Sequence, residues 1–244
     1  VNTIAIIQAR MGSTRLPGKV LLPLGQTNVL NYVVTRCKEI QGISKVIVAT
    51  SHLDQDQPIV DWCRTNDILY FRGSEDDVLD RYYQCALEYN PDYVMRVTAD
   101  CPFLDYHLAS NMVDAIQEST TEIDIVTLLS PIPRGMPVEI ISFESLQYIH
   151  NHGKESYHRE HVTYYAYENP STFHMHGINV DTHKNHPELR ITLDTPEDYL
   201  LCQEIVKEFP DDILVPADKV IEFLLMHPEI VALNAHIEQK VVKL

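Results

Sequence analysis

Short apolar runs alternate along the chain with segments whose apolar residues recur at helical spacing. The first run, Ile4 to Ile7, is apolar at every position and bracketed by polar residues, as suits a parallel strand buried on both faces. Further strands are expected at Lys45–Thr50, Ile68–Phe71, Tyr93–Thr98, Asp124–Leu128, Val138–Ser142, Phe173–Asn179 and Arg190–Leu193, with helices between them. Val29, Leu30, Val33, Val34 and Cys37 make one apolar helix face. Ser74 and Asp77 have the character of a helix-start cap ahead of Val78. This alternation predicts an α/β fold with a mainly parallel, mixed sheet covered on both faces.

The 244 residues, 45% of them hydrophobic, are expected to form a single domain spanning 1–244. Three prolines and a glycine between Pro131 and Pro137 break the strand alternation and predict a substrate-side arm, with about 131–180 serving the acceptor and dimerisation. A helical C-terminal appendage is expected over about 211–244. In it, Phe223 to Met226 reads equally as a subunit contact or a core helix. No run of about 18 apolar residues and no charged-then-apolar leader is present, so a cytoplasmic location is expected. The five cysteines form no C-x-x-C and read as buried reduced thiols.

Charge changes the picture. Residues 1–38 hold five cations and no acid, leaving 14 cations against 35 acids in the remainder of a chain whose net charge is −16. Such a body repels nucleic acid and anionic membranes, while a local cationic pocket can still take a small polyanion. The cations Arg10, Arg15 and Lys19 sit in a loop with Gly12, Ser13 and Gly18, directly after the first strand. Glycine freedom there lets backbone N–H groups turn toward phosphates, the layout of a triphosphate loop; ordinary solvated cations are the alternative. A Walker A loop is excluded because five residues separate Gly12 from Gly18 and Val20 follows Lys19. No G-x-G-x-x-G occurs.

Two acids follow expected strands, where an open α/β sheet presents its ligands. Asp100 follows Tyr93–Val97 and precedes Cys101-Pro102; Asp194 follows Leu193 and precedes Thr195-Pro196. Two carboxylates with phosphates and waters suit magnesium. A turn-forming role for Asp100 and a helix cap for Asp194 are the alternatives.

The segment Gln8-Ala9-Arg10-Met11-Gly12-Ser13-Thr14-Arg15-Leu16-Pro17-Gly18-Lys19 resembles the opening motif of the cytidylyltransferases that activate sugar acids, nearest to their spore-coat polysaccharide branch. The similarity continues through Arg72 to Arg81, Arg96 to Phe103, Arg159 to Thr163, Arg190 to Asp198 and the tail Asn234 to Lys240. The resemblance implies a Rossmann-like nucleotide-diphospho-sugar transferase (GT-A-like) fold, a homodimer, and metal-binding roles for Asp100 and Asp194. The implied reaction is attack of an acceptor hydroxyl on the α-phosphorus of CTP, expelling pyrophosphate and aided by Mg2+. Arg10 and Lys19 then act as catalytic cations with the two acids, while Arg15 and backbone near Gly12 and Ser13 assist on the phosphates. The base and ribose are expected near Ala9, Thr50, Ser51 and Thr98, and near Arg72, Gly73 and Ser74. The resemblance adds Asp77 and Arg81 to this second group.

For the acceptor, a sugar acid or phosphorylated compound, Arg159 is the expected anion partner, with Glu160 and His161 on hydroxyls. Glu139 resembles a family acid near the sugar, although Pro137 stands where the family often has Asp. A zinc site built on His158 and His161 lacks an H-E-x-x-H and further ligands. Asp54-Gln55-Asp56 offers the acid pair of a glycosyltransferase, in a stretch that reads as a solvated loop. A non-catalytic nucleotide-binding relative is the remaining alternative.

Overall fold

The structure, a computed structural model, describes residues 1–239. The end of the expected C-terminal appendage, from Lys240 onward, lies outside the described residues. Seven strands form the main sheet: β1 (Thr3–Gln8), β4 (Ile43–Ser51), β5 (Leu69–Gly73), β6 (Tyr93–Thr98), β7 (Ile125–Leu128), β8 (Glu139–Ser142) and β9 (Met175–Ile178). Their order is β5-β4-β1-β6-β8-β7-β9. β8 runs antiparallel to β6 and β7, and the remaining pairings are parallel. A mainly parallel mixed sheet is therefore present, as the pattern predicts.

The period of two in each strand builds the core. Ala5, Ile7, Val48, Met95 and Val97 enter one apolar cluster, while Ile4, Ile6, Ile47, Ala49 and Val94 enter another on the opposite face. Helix α1 (Val29–Lys38) buries the predicted Val29, Leu30, Val33, Val34 and Cys37. Helix α3 (Val78–Tyr89) starts at Asp77, whose carboxylate accepts the N–H of Asp80, and α4 (Tyr106–Glu118) starts at Asp105 in the same way.

A third cluster lies beside the sheet. Helices α8 (Pro196–Glu208) and α9 (Ala217–Met226) close over Ile191, Leu193 and Phe103. Leu224 of α9 is buried there, whereas Leu225 and Met226 are exposed, so the Phe223–Met226 run divides between core and surface.

Two elements differ from expectation. Arg190–Leu193 is not a strand; it makes one parallel bridge to Arg134 and then diverges, the Leu193 N–H reaching the Asp100 carbonyl instead. Its apolar residues are buried by α8 and α9 rather than by sheet neighbours. A small hairpin of β2 (Pro23–Leu24) and β3 (Thr27–Asn28) follows the opening loop, too short to leave an alternating pattern.

The four adjacent parallel strands β5-β4-β1-β6 fix where a site can form. From β1 the chain winds out to β4 and β5 on one side and to β6 on the other, so β1 is the topological switch point. Loops beyond the carboxyl ends of β1 and β6 border the crevice that such a reversal opens. The opening loop and Asp100 are those loops. The remaining helices, α2 (Gln57–Thr65), α5 (Phe143–His152), α6 (Ser156–Glu160), α7 (Tyr164–Glu168) and α10 (Pro228–Val231), complete the chain. No helix among the described residues is long and apolar enough to cross a membrane.

Candidate active site

The opening loop leaves β1 and folds on itself: the Met11 carbonyl accepts the N–H groups of both Ser13 and Gly18. Gly18 holds φ at +69°, a conformation natural to glycine, and delivers Lys19 into a short 3-10 turn. The loop is tied down from beneath by Asp56, which is fully buried and accepts from the Met11 N–H (2.7 Å) and the Ser51 hydroxyl.

Asp100 and Asp194, 94 positions apart, are brought together by backbone. The Asp100 carbonyl accepts the Leu193 N–H at 2.8 Å. On the other side of that segment, Gly135 (φ +97°) passes so near Thr192 that an added Cβ would stand 2.6 Å from its backbone nitrogen. Thr195, rather than Asp194, caps α8, and Asp198 completes the capping box by accepting from Thr195. The Asp194 carboxylate is thereby free of capping duty. Asp198 also fixes Arg190, which in turn reaches Asp194 at 3.1 Å.

The two carboxylates share one cation. Lys19 Nζ lies 3.1 Å from Asp100 Oδ2 and 2.8 Å from Asp194 Oδ1, and Arg15 approaches Asp194 at 3.5 Å. Burial opposes ionisation of Asp100, but the Lys19 charge and hydrogen bonds from Thr98, Lys19 and Cys101 hold its carboxyl at about 2. Burial likewise opposes the Lys19 charge, and the two acids overcome it, raising the ammonium above its ordinary value. Hard oxygen donors from two separate segments thus converge on a single point of positive charge, a donor set that fits a divalent cation completed by phosphate and water.

Other expected residues are placed differently. Arg10 is more than half exposed and stands 3.8 Å from Glu75. Arg72 is spent on its surroundings, donating to the Ser51 and Leu53 carbonyls and to Gln57. Thr50 is buried, its hydroxyl without a hydrogen-bond partner among the described residues. Ser74 accepts the Asp77 N–H and, through its carbonyl, the guanidinium of buried Arg81. Gly73 gives Arg81 room, since an added Cβ would meet its side chain at 2.9 Å. Ala9 continues the sheet contact, donating to the Ala49 carbonyl.

On the acceptor side, Arg159 and Asp77 form an ion pair with each other. Glu160 is exposed, and His161 is half-buried, which lowers its pKa. Glu139 forms a 2.7 Å ion pair with Arg96 on neighbouring β6 and accepts from the Thr163 and Tyr167 hydroxyls. Burial opposes its charge, yet Arg96 and these hydrogen bonds lower its pKa. His158 is buried against Glu168, and no cluster of three or more metal-ligating side chains occurs among the described residues, so the zinc reading gains no ligand set. Asp54 is exposed while Asp56 points inward, so that pair does not face one ligand.

The sequence offered Asp56 only as half of a metal-holding acid pair, and placed Arg96, Arg190 and Asp198 only within stretches of family resemblance, without the anchoring roles they have here. For the last of these the spacing is itself a signal: Arg190, Asp194 and Asp198 recur every four residues.

Three comparisons bear on this geometry. The spore coat polysaccharide biosynthesis protein SpsF of Bacillus subtilis is 32% identical over 233 residues, covering 93% of this chain and 96% of that protein. A cytidylyltransferase structure from Leptospira borgpetersenii serovar Hardjo-bovis superposes with a TM-score of 0.89 at 30% identity, covering 99% of this chain and all of that one. The structure of CMP:2-keto-3-deoxy-manno-octonic acid synthetase complexed with CTP shares the fold (TM-score 0.68, 14% identity) over 86% of this chain and all of that one. The cytidylyltransferase family model matches residues 4–240, and with the opening loop and acid pair meeting at the switch point, the chain belongs to the cytidylyltransferase family.

Proposed function

We propose that this protein transfers the cytidylyl group of CTP to a sugar acid or phosphorylated acceptor, releasing pyrophosphate, in the building of a surface polysaccharide or related glycan. The observation that carries this reading is the meeting of Lys19 with Asp100 and Asp194 at the strand switch point. A CTP-bound structure of the same fold and the relation to SpsF support the nucleotide and the pathway class.

In this reading Arg10, Arg15 and Lys19 hold the β- and γ-phosphates and the departing pyrophosphate, where developing charge is greatest. Asp100 and Asp194 would hold a divalent ion, taken to be Mg2+, whose chemistry is to neutralise the α-phosphate and acidify the attacking hydroxyl. Arg190, locked by Asp198, keeps Asp194 in place. Thr50, Ser51, Thr98 and the Arg72–Ser74 loop border the nucleoside, and Glu139, Glu160 and His161 the acceptor. Asp77, Arg81 and Arg159 act one step back, since their charged groups are used within the protein.

Incubation with Mg2+, CTP and a panel of sugar acids and phosphorylated acceptors tests the proposal. Pyrophosphate release that needs both CTP and one acceptor is expected; consumption of a nucleotide sugar, or CTP binding with no turnover on any acceptor, counts against it. The homodimer is part of the same reading, and light scattering measures it.

A further inference from the structure

We propose that Lys19 is a resident counter-ion of the acid pair, which a divalent metal must displace and which leaves readily only when a triphosphate offers it a new partner. The pair would then take up metal together with the nucleotide and discriminate against metal alone. This rests on the reading of Asp100 and Asp194 as the metal-holding acids.

Geometry makes the two cations competitors. The Lys19 ammonium is 3.1 Å from Asp100 Oδ2 and 2.8 Å from Asp194 Oδ1. A divalent ion held by these two carboxylates would draw on the same oxygens that now face Nζ. The ammonium and the metal would therefore compete for the pair.

Charge decides which arrives. Around this point Asp100, Asp194 and Asp198 face Lys19, Arg15 and Arg190, three acids against three cations. A bare divalent ion adds two uncompensated charges and strands an ammonium whose side chain is only 12% exposed. A metal-triphosphate complex brings its own anionic oxygens to the opening loop, where Lys19 is rooted, and so supplies the displaced ammonium with a partner.

The framework holds Arg190 and leaves the lysine the more easily displaced partner of the pair. Arg190 is clamped by both oxygens of Asp198, and Asp198 by the capping box of α8, so that side stays fixed. Lys19 is a compact charge on a flexible four-carbon stem and can swing away without backbone movement. A lysine that stood clear of the two carboxylates, serving only the phosphates, would leave metal binding in the absence of nucleotide unchanged.

Binding of Mn2+ without nucleotide, followed by loss of the free-ion electron paramagnetic resonance signal, tests this directly. Lys19→Met is expected to bind Mn2+ about ten-fold more tightly than the unsubstituted protein. Lys19→Gln, which retains a hydrogen-bond donor, is expected to do the same and guards against misfolding of the first variant. Equal or weaker binding in both variants, or no binding in either, overturns the exchange. Adding Asp100→Asn to Lys19→Met should abolish the gain. Tight binding that survives Asp100→Asn would instead overturn the metal-site reading on which the proposal rests.

Discussion

Arg159 of α6 and Asp77 at the start of α3 neutralise each other, the guanidinium Nη2 standing 2.8 Å from Asp77 Oδ2 and Nε 2.9 Å from both carboxylate oxygens. Arg159 also donates to the carbonyls of His150 and Gly153, and Asp77 caps α3. The pair therefore binds three helices at one point, and its two members cannot each hold a separate ligand without breaking that joint.

Loss of either partner should appear first in stability. Asp77→Ala removes a cap worth about 1 kcal/mol and an ion pair worth up to about 1 kcal/mol at this partial exposure. Denaturant unfolding should register a loss of about 1–2 kcal/mol, with Arg159→Ala, which keeps the cap but loses the pair and the bonds to the His150 and Gly153 carbonyls, losing a similar amount. If Arg159→Ala unfolds normally but raises the KM for an acceptor, its guanidinium is serving substrate rather than the joint.

How far such relationships are legible in sequence depends on their range. β1 and the buried face of α1 were readable because their apolar residues repeat locally, at every position or at helical spacing. The acid pair was readable one member at a time, since each follows an apolar segment and precedes a proline-containing turn. Their sharing of Lys19 was not, because it depends on the Leu193–Asp100 backbone contact. Arg190–Leu193 misleads for the opposite reason: its apolar residues are buried by helices, a distinction that periodicity cannot draw. Asp56 misleads because its neighbours are polar and exposed, while its own carboxylate turns inward to a backbone N–H 45 residues earlier.

That inward turn gives Asp56 a measurable role. Asp56→Ala leaves the Met11 N–H and the Ser51 hydroxyl without their acceptor, at a cost of about 1–3 kcal/mol. Because the Met11 N–H belongs to the opening loop, the proposed CTP site should loosen with it. Calorimetric titration is expected to show CTP affinity falling by about ten-fold in a protein that still unfolds cooperatively. Unchanged affinity would separate the loop's geometry from its anchor.

Lys184 and Asp105 provide a test away from the site. Their side chains are 9% and 1% exposed and 2.6 Å apart, joining the segment after β9 to the start of α4. Lys184→Met leaves a buried carboxylate without its cation, for which about 3–5 kcal/mol of stability should be lost. Burial opposes the lysine charge, but Asp105 and then Asp218 raise its pKa above the ordinary 10.5. A raised folded-state value means the stabilisation is fully present below pH 10.5 and fades as pH climbs through the folded value. The difference between the two proteins should therefore be flat across neutral pH in urea unfolding.

The Arg96–Glu139 pair predicts the opposite dependence. Burial works against the Glu139 charge, and Arg96 with the Tyr167 and Thr163 hydroxyls outweighs it, placing the carboxyl below its ordinary 4.5. A lowered folded-state value contributes stability that is complete above pH 4.5 and disappears as pH falls through the folded value. Glu139→Gln keeps the shape and one accepting oxygen for the hydroxyls but leaves Arg96 without a counter-charge on the adjoining strand. The variant should lose about 1–3 kcal/mol at neutral pH, a deficit that shrinks on acidification because the unsubstituted protein then loses the same charge. Acid titration of the unfolding midpoint for both proteins checks this. A deficit that is constant from neutral to strongly acid pH would show that Glu139 contributes through packing, and that its charge is available to an acceptor at no cost to the fold.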